Sequence, residues 1–168
     1  GEVVVIPPVQ RIQVKKVELA AGQQRHLNQV VPFLLEEQLA QAPDELHYTV
    51  LNVGSKDFAW VSIVARADLE AWLSQLTEWR LSDPILLPLQ GLLPDWTTTD
   101  EDARPLLLGV GAYWLWADTE KVLCLPDALL EKLPTDQELR LTCSRSQFET
   151  AQHRIGDPQP ENLWSEEA

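Results

Sequence analysis

The sequence predicts a mixed α+β protein, and three observations lead to this prediction. Short apolar runs rich in β-branched residues recur along the chain, separated by stretches whose apolar residues follow helical spacing. In residues 12–89 these segments follow the order strand, helix, strand, strand, helix, strand. This order is typical of a ferredoxin-like βαββαβ domain, an antiparallel sheet with both helices on one face. A second group of strands, with one helix, begins at Leu106.

The first three predicted elements are two strands and a helix. Val3–Ile6 is a continuous apolar run and predicts a short leading strand. In Ile12–Leu19 apolar residues alternate with Gln, Lys and Glu, which indicates a half-exposed strand. The apolar residues of Gln23–Gln41 recur at i, i+3, i+4 and i+7, which predicts an amphipathic helix. We expect Pro32 to kink or divide this helix, because the proline ring displaces a backbone hydrogen bond.

The next elements are a β-hairpin, a helix and a strand. His47–Val53 and Phe58–Ala65 are aromatic and β-branched, and the turn-forming residues 54–57 separate them. Asp68–Arg80 predicts a second amphipathic helix with Asp68 as its N-cap. Ile85–Leu89 is bracketed by prolines, so we expect it to lie at a sheet edge.

The second half of the chain predicts a separate unit. Residues 94–105 combine prolines, threonines and acidic residues, which favours an inter-domain loop. The elements after it are strands at Leu106–Val110, Tyr113–Ala117, Val122–Leu125 and Leu139–Cys143 and a short helix at Asp127–Leu133. We therefore predict a βαββαβ domain with its leading strand over 1–93, a linker loop over 94–105, a second lobe over 106–155 and an acidic tail or linker over 156–168.

The charge of the chain limits the partners that it can bind. Its 168 residues include 13 Lys and Arg against 26 Asp and Glu, a net charge of −13. Nucleic acid and anionic lipid repel such a chain, so we expect no nucleic-acid partner and favour a basic protein. The two cysteines lack the spacing of a metal or redox motif and indicate free thiols. No apolar run approaches the ~20 residues that a membrane-spanning helix needs.

No arrangement of residues predicts a catalytic, metal or cofactor site. The three histidines are scattered over different elements, and no Walker or dinucleotide-binding motif is present. Glu36–Glu37 and the acidic residues 100–102 lie in polar surroundings, which favours solvated surface over a catalytic pair. Gly109-Val110-Gly111 separates two strands. Such a hairpin could bring its backbone close to a phosphate, but a simple glycine-bearing turn is the favoured interpretation.

Four segments together resemble one protein family. They are PFLLEEQLA at Pro32–Ala40, DELH at Asp44–His47, VSIVA at Val61–Ala65 and LEAWL at Leu69–Leu73. Over about residues 3–135 the chain resembles the cytoplasmic part of the type II secretion system inner-membrane protein L. The segments are specific as a set, and no single residue is diagnostic.

The resemblance implies an actin-like architecture, related to the pilus protein PilM and the division protein FtsA. A ferredoxin-like domain would precede a partial actin-like (RNase H-like) lobe, which opens with three apolar residues followed by Asp-x-Gly. The matching residues here are Leu106–Gly111, and Gly109 replaces the aspartate. That aspartate would hold the metal and water at the γ-phosphate, so its loss argues against ATP hydrolysis and against any bound cofactor.

The function implied by the resemblance is recruitment by a non-enzymatic adaptor. Protein L would hold the N-terminal domain of the secretion ATPase, the E protein, at the cytoplasmic face of the bacterial inner membrane. It would pair with the M protein through membrane and periplasmic parts that this chain lacks, and a homodimer is possible. The missing first hairpin and the start at Gly1, without Met, indicate a fragment. The alternatives are a PilM-like adaptor that binds a short peptide, and an actin-like ATPase.

The partner-binding residues that we predict are Glu36, Glu37, Asp44 and Glu45. They cluster around the end of the family-like helix, where an acidic face could meet a basic face of the ATPase. The alternative interpretation is that these carboxylates only keep the domain in solution. In that case the sheet edge at Ile85–Leu89 is the next candidate interface.

Overall fold

The structure is a computed structural model that describes residues 3–20, 22–53, 57–81, 83–93, 104–133, 138–155 and 160–164. The chain divides into two compact units, Gly1–Gly91 and Leu92–Ala168. Most of the predicted linker, residues 94–103, lies outside the described residues.

Within the first unit, the described residues form five strands and two α-helices. They are β1 (Val4–Val5), β2 (Ile12–Glu18), α1 (Leu27–Leu35), β3 (Leu46–Val53), β4 (Phe58–Ala65), α2 (Arg66–Glu78) and β5 (Ile85–Leu86). β4 pairs antiparallel with β2 on one side and with β3 on the other. The predicted β3–β4 hairpin is therefore confirmed, and three strands of the predicted sheet have the expected order.

Strand β4 is the centre of this unit. Ala59, Trp60, Val61, Ser62, Ile63 and Val64 are all buried, so both faces of the strand are covered. α1 covers one face, where Val31 and Leu35 are fully buried against Val61 and Ile63. Because side chains alternate along a strand, Ser62 and Val64 lie on the other face. There they line a cavity together with Leu69 and Trp72 of α2.

Two features of the predicted ferredoxin-like domain are therefore wrong. The helices border opposite faces of the sheet instead of sharing one face. The fourth strand, β5, pairs in parallel with β1, Val4 opposite Ile85 and Val5 opposite Leu86, in a two-stranded sheet. Pro84 and Pro88 shorten β5 to two residues, since proline cannot donate to a ladder.

The two helices of this unit also differ from their predicted bounds. α1 ends at Leu35, and short 3₁₀ turns at Gln23–His26 and Glu36–Gln38 flank it. Pro32 lies inside α1, and the helix continues past it to Leu35 instead of dividing at the proline. α2 begins at Arg66 with Ala65 as its N-cap, so Asp68 lies in the first turn and is not the cap.

In the part of the second unit that the structure describes, five strands belong to one sheet. They are β6 (Leu106–Val110), β7 (Tyr113–Ala117), β8 (Val122–Pro126), β9 (Arg140–Ser144) and β10 (Pro160–Trp164), with α3 (Arg145–Ile155) between the last two. β6, β7 and β8 form an antiparallel meander. β9 then pairs in parallel with β6, and β10 in parallel with β9, which gives the order β10-β9-β6-β7-β8.

The core of the second unit lies between this sheet and α3. Trp114 and Trp116 are buried on the face that Leu107 and Leu141 share, and Ala151 of α3 packs into the same cluster. The two tryptophans therefore occupy a covered face of the sheet. The short helix predicted at Asp127–Leu133 is a 3₁₀ helix over Asp127–Lys132.

Two elements of the second unit were absent from the sequence prediction. α3 has few apolar residues, but Phe148, Ala151 and Ile155 have helical spacing and pack in the core cluster. β10 occupies residues 160–164 of the segment predicted as an acidic tail or linker. That part of the tail prediction is wrong, because backbone pairing with β9 orders the segment despite its polar composition.

Candidate functional site

The four predicted partner-binding carboxylates occupy two short 3₁₀ turns that both lie between α1 and β3 in the chain. Glu36 and Glu37 lie in the 3₁₀ turn that follows α1, and Asp44 and Glu45 lie in the turn that leads into β3. All four residues are exposed. The neighbouring Leu35 is fully buried, as the predicted helix phase requires, whereas Leu34 and Leu39 are only partly buried.

Tyr48 and Arg66 connect the two acidic turns. The Arg66 Nε donates a hydrogen bond to the main-chain oxygen of Asp44 at 2.8 Å. Burial raises the pKa of Tyr48, the Arg66 charge lowers it and the Glu36 charge raises it, so all three groups lie near one another. The Tyr48 hydroxyl is buried and has no hydrogen-bond partner among the described residues. We name the four exposed carboxylate residues Glu36, Glu37, Asp44 and Glu45 the acidic rim.

An exposed aromatic residue lies beside the acidic rim. Phe33 is 75% exposed although it belongs to α1, in which Leu27, Val31 and Leu35 are buried. At 3.6 residues per turn, Phe33 projects about 200° away from Val31 around the helix axis. Sequence analysis did not select Phe33. The signal available in the sequence is the four-residue spacing of Leu27, Val31 and Leu35. These three residues are buried in the structure, which leaves Phe33 on the outer side of α1.

A cavity of about 250 Å³ lies in the first unit, away from the acidic rim. Seven of its lining residues are apolar: Pro7, Ile12, Val64, Leu69, Trp72, Leu86 and Pro88. The polar lining residues are His47, Thr49 and Ser62. The His47 Nε2 and the Thr49 Oγ1 lie 3.3 Å apart, within hydrogen-bonding distance. A mainly apolar wall with a few polar groups suits an apolar side chain or a small ligand.

The glycine hairpin of the second unit is occupied by a side chain from α3. A Cβ added at Gly109 would lie 2.5 Å from the Gln147 Oε1 and 2.9 Å from the Cys143 Cβ. The Gln147 Nε2 donates to the Gly111 carbonyl oxygen at 2.7 Å, and its Oε1 accepts from the Ser144 N–H at 3.1 Å. The space where the implied aspartate would project is therefore filled. Gly111 has a φ of +58°, which explains the glycine at the turn.

The two thiols have different surroundings. Cys143 is buried, and its burial raises the pKa of the thiol to about 11. Cys124 is half-buried, and burial raises its pKa as well. Within the described residues no group of three or more His, Cys, Asp or Glu is arranged to hold a metal ion. Among those residues there is also no helix with the length and apolar character to cross a membrane.

Comparison with known proteins gives consistent results. The family model for type II secretion system (T2SS) protein L matches residues 1–154. Protein L of Pectobacterium carotovorum subsp. carotovorum is 36% identical over 90 residues, 54% of this chain and 21% of that protein. Protein L of Klebsiella pneumoniae is 32% identical over 132 residues, 78% of this chain and 32% of that protein. The chain thus spans a minor part of these relatives' length.

A solved structure has a similar fold. It is the cytoplasmic domain of EpsL, an inner membrane component of the type II secretion system of Vibrio cholerae, with a TM-score of 0.66 at 22% sequence identity. The match covers 99% of this chain and 66% of that one. Since the family model spans nearly the whole sequence, the chain belongs to the protein L family of the type II secretion system.

Proposed function

We propose that this chain is a non-enzymatic adaptor that recruits the N-terminal domain of the secretion ATPase to the inner-membrane platform of the secretion system. The observation that supports this function best is the acidic rim beside the exposed Phe33. Exposed aromatic residues anchor protein interfaces, and surrounding charges steer the partner during association. A basic, partly apolar face on the ATPase domain would complement this surface.

The second unit supports a scaffold that does not use nucleotide. A three-stranded meander extended on its first strand by two parallel strands is the order expected of an actin-like (RNase H-like) lobe. In this lobe Gln147 fills the space next to Gly109, where the aspartate of an actin-like site would lie. The carboxylate is missing and its space is already occupied. A hard cation would therefore lack its anionic ligand here.

The remaining partners belong to the longer protein. Membership of the family suggests that the whole protein L is held in the inner membrane with these residues on the cytoplasmic face. The M protein would bind through parts outside this chain, and a homodimer of protein L is compatible with the proposal.

Charge reversal at the acidic rim tests the proposed function. We expect Glu36→Lys with Glu37→Lys to slow association with the ATPase's N-terminal domain, and to slow it more at low salt than at high salt. Exposed charges are screened beyond ~8–10 Å at physiological ionic strength. Association rates from surface plasmon resonance at two salt concentrations measure this effect.

A matched control carries the same change of charge elsewhere in the first unit. Glu70 and Glu78 are exposed on α2, and Glu70→Lys with Glu78→Lys should leave the rate nearly unchanged. Equal slowing by both pairs would reduce the effect to net charge alone. No slowing by the first pair would move the interface, with the exposed Ile85 of β5 as the next candidate.

The cavity beside α2 supports a second candidate function, a PilM-like adaptor that binds a short peptide. Its apolar walls and its His47, Thr49 and Ser62 groups suit one apolar side chain of an extended peptide. Trp72 lines the cavity, so a peptide that enters should change its fluorescence. An ATPase domain that binds while cytoplasmic peptides of membrane partners leave the Trp72 signal unchanged would favour the first function.

A further inference from the structure

Strand β3 forms an open edge of the sheet in the first unit. It is eight residues long and pairs with β4 on one side, and among the described residues no strand pairs with its other side. Its sequence, LHYTVLNV, contains no charged residue and no proline. Edge strands usually carry Lys, Pro or inward-pointing charge that prevents pairing with another chain. β3 has one irregularity, a register shift between Val50 and Asn52, and the five residues Leu46–Val50 before it pair in regular register.

The hydrogen-bond register identifies the backbone groups at this edge. The Leu19 N–H donates to the Asp57 carbonyl oxygen at 2.7 Å, one position beyond the pair Glu18 and Phe58. Hydrogen-bonded and non-hydrogen-bonded pairs alternate along an antiparallel ladder. The odd-numbered residues of β4 therefore bond to β2, and its even-numbered residues bond to β3.

The same alternation identifies the residues of β3 whose backbone N–H and C=O groups point to the open edge. His47 and Thr49 lie opposite Val64 and Ser62, so their backbone groups bond to β4. Tyr48 and Val50 lie opposite the odd-numbered residues of β4, so their N–H and C=O groups point to the open edge. The Leu46 N–H already donates to the Pro43 carbonyl oxygen. An incoming strand would therefore bond first to Tyr48 and Val50.

We infer that β3 accepts an extended segment of a basic partner protein by strand addition. The acidic rim argues for this occupant, because Asp44 and Glu45 directly precede β3 and α1, which carries Glu36 at its end, packs against it. Lys or Arg residues of the incoming segment would lie against these carboxylates. A second copy of this chain would bring another net charge of −13 to the same edge. Main-chain bonds would supply affinity, and the charges would set orientation.

This inference rests on the proposed function, because the probe is the N-terminal domain of the secretion ATPase. Amide hydrogen exchange of this chain, measured by NMR, reports strand addition directly. In the free chain we expect fast exchange at Tyr48 and Val50 and slow exchange at His47 and Thr49. With a saturating amount of the ATPase domain, exchange at Tyr48 and Val50 should slow at least tenfold, while the α2 amides stay unchanged.

Each of the other outcomes rejects strand addition, the basic partner or the proposed function. Binding without protection at Tyr48 and Val50 rejects strand addition and leaves the proposed function standing. The absence of any complex rejects the proposed function, and the inference falls with it. Slow exchange at both residues in the free dilute chain shows that the chain covers its own edge. Protection that appears with rising chain concentration alone identifies a second copy as the occupant and rejects the basic partner.

A matched pair of variants at one position gives a second test. Val50→Pro removes an outward N–H that β4 does not use, whereas Val50→Ala trims the same side chain and keeps the N–H. We expect Val50→Pro to bind the ATPase domain about tenfold more weakly than Val50→Ala. Circular dichroism of both variants establishes that they fold. Should Val50→Pro fail to fold, the exchange experiment on the natural chain decides the question; equal affinity of two folded variants rejects strand addition.

Discussion

Helices α1 and α3 each cover one face of a sheet, but they use their remaining residues differently. α1 buries Val31 and Leu35 and leaves Phe33 and its C-cap residue Glu36 exposed. α3 buries Ala151 and directs Gln147 into the hairpin between β6 and β7. Under the proposed function the first helix presents a surface to a partner, whereas the second holds a turn of its own unit through the Gln147 hydrogen bonds. In this family member a docking function is expected on the first unit, and rigidity on the second.

The largest expected effect tests the inner side of α1. Leu35→Ala should lower the free energy of unfolding by about 2–5 kcal/mol, because it opens a cavity in a fully buried cluster. Glu36→Ala and Phe33→Ala change exposed residues and should each cost under about 0.5 kcal/mol. Denaturant titration of the three variants measures the difference. Equal shifts of the unfolding midpoint would show that the inner and outer sides of α1 have been exchanged.

A smaller loss of stability should follow substitution in the hairpin that α3 fastens. Gly109→Ala places a methyl group against Gln147 and the Cys143 Cβ, and we expect it to cost about 1–3 kcal/mol. Gln147→Ala alone removes two hydrogen bonds. In the double variant part of the Gly109→Ala cost should disappear, because the glutamine no longer blocks the methyl group. Purely additive losses in this double-mutant cycle would contradict the packing described for the turn.

The thiol beneath α3 gives the second unit a dependence on pH. Folding raises the pKa of Cys143 from 9.0 to about 11, so the unfolded chain releases this proton at a lower pH than the folded chain. The contribution to stability is complete below pH 9 and is lost as the pH rises towards 11. The decline of unfolding free energy over this range should be steeper in the natural chain than in Cys143→Ala. Indistinguishable slopes would place the thiol in contact with water.

The smallest expected effect concerns nucleotide. With Gln147 occupying the space beside Gly109, we expect magnesium with ATP or ADP to leave the melting temperature and the calorimetric baseline unchanged. A ligand that binds only the folded state would raise stability by about 2.7 kcal/mol at a hundredfold excess over its dissociation constant. A micromolar dissociation constant for ATP or ADP in calorimetry would show that the hairpin can open. It would then favour the actin-like ATPase alternative.

Local sequence pattern was sufficient for most of the strands and for the exposure of Glu36, Glu37, Asp44 and Glu45. The β3–β4 hairpin follows from two β-branched runs and a turn between them, and those are properties of neighbouring residues. The side of the sheet on which α2 lies is not a local property, and β5 found its partner in β1 at the other end of the unit. β10 was missed because its ladder with β9, and not its composition, makes it a strand.

Local sequence pattern was also insufficient to predict the contacts at the candidate sites. Glu36 and Asp44 were selected from the sequence, but the hydrogen bond from Arg66 to Asp44 joins residues 22 positions apart and was not predicted. Gly109 was identified as a substituted position, yet the group that fills the space beside it comes from a helix that was not predicted. Contacts between distant segments depend on how those segments pack, and the periodicity of one segment does not predict them.

The burial of β4 on both faces has a consequence for the unfolded chain. Phe58–Ala65 is eight residues long, aromatic and β-branched, and free of charge and proline. Such a window stacks readily with copies of itself whenever it is exposed. In the folded unit its amides should be among the last to exchange, since opening them requires the whole unit to unfold. Newly synthesised or heated chains should therefore aggregate in competition with refolding, which would make the half-life of the folded state, and not its equilibrium stability, the quantity that governs its survival.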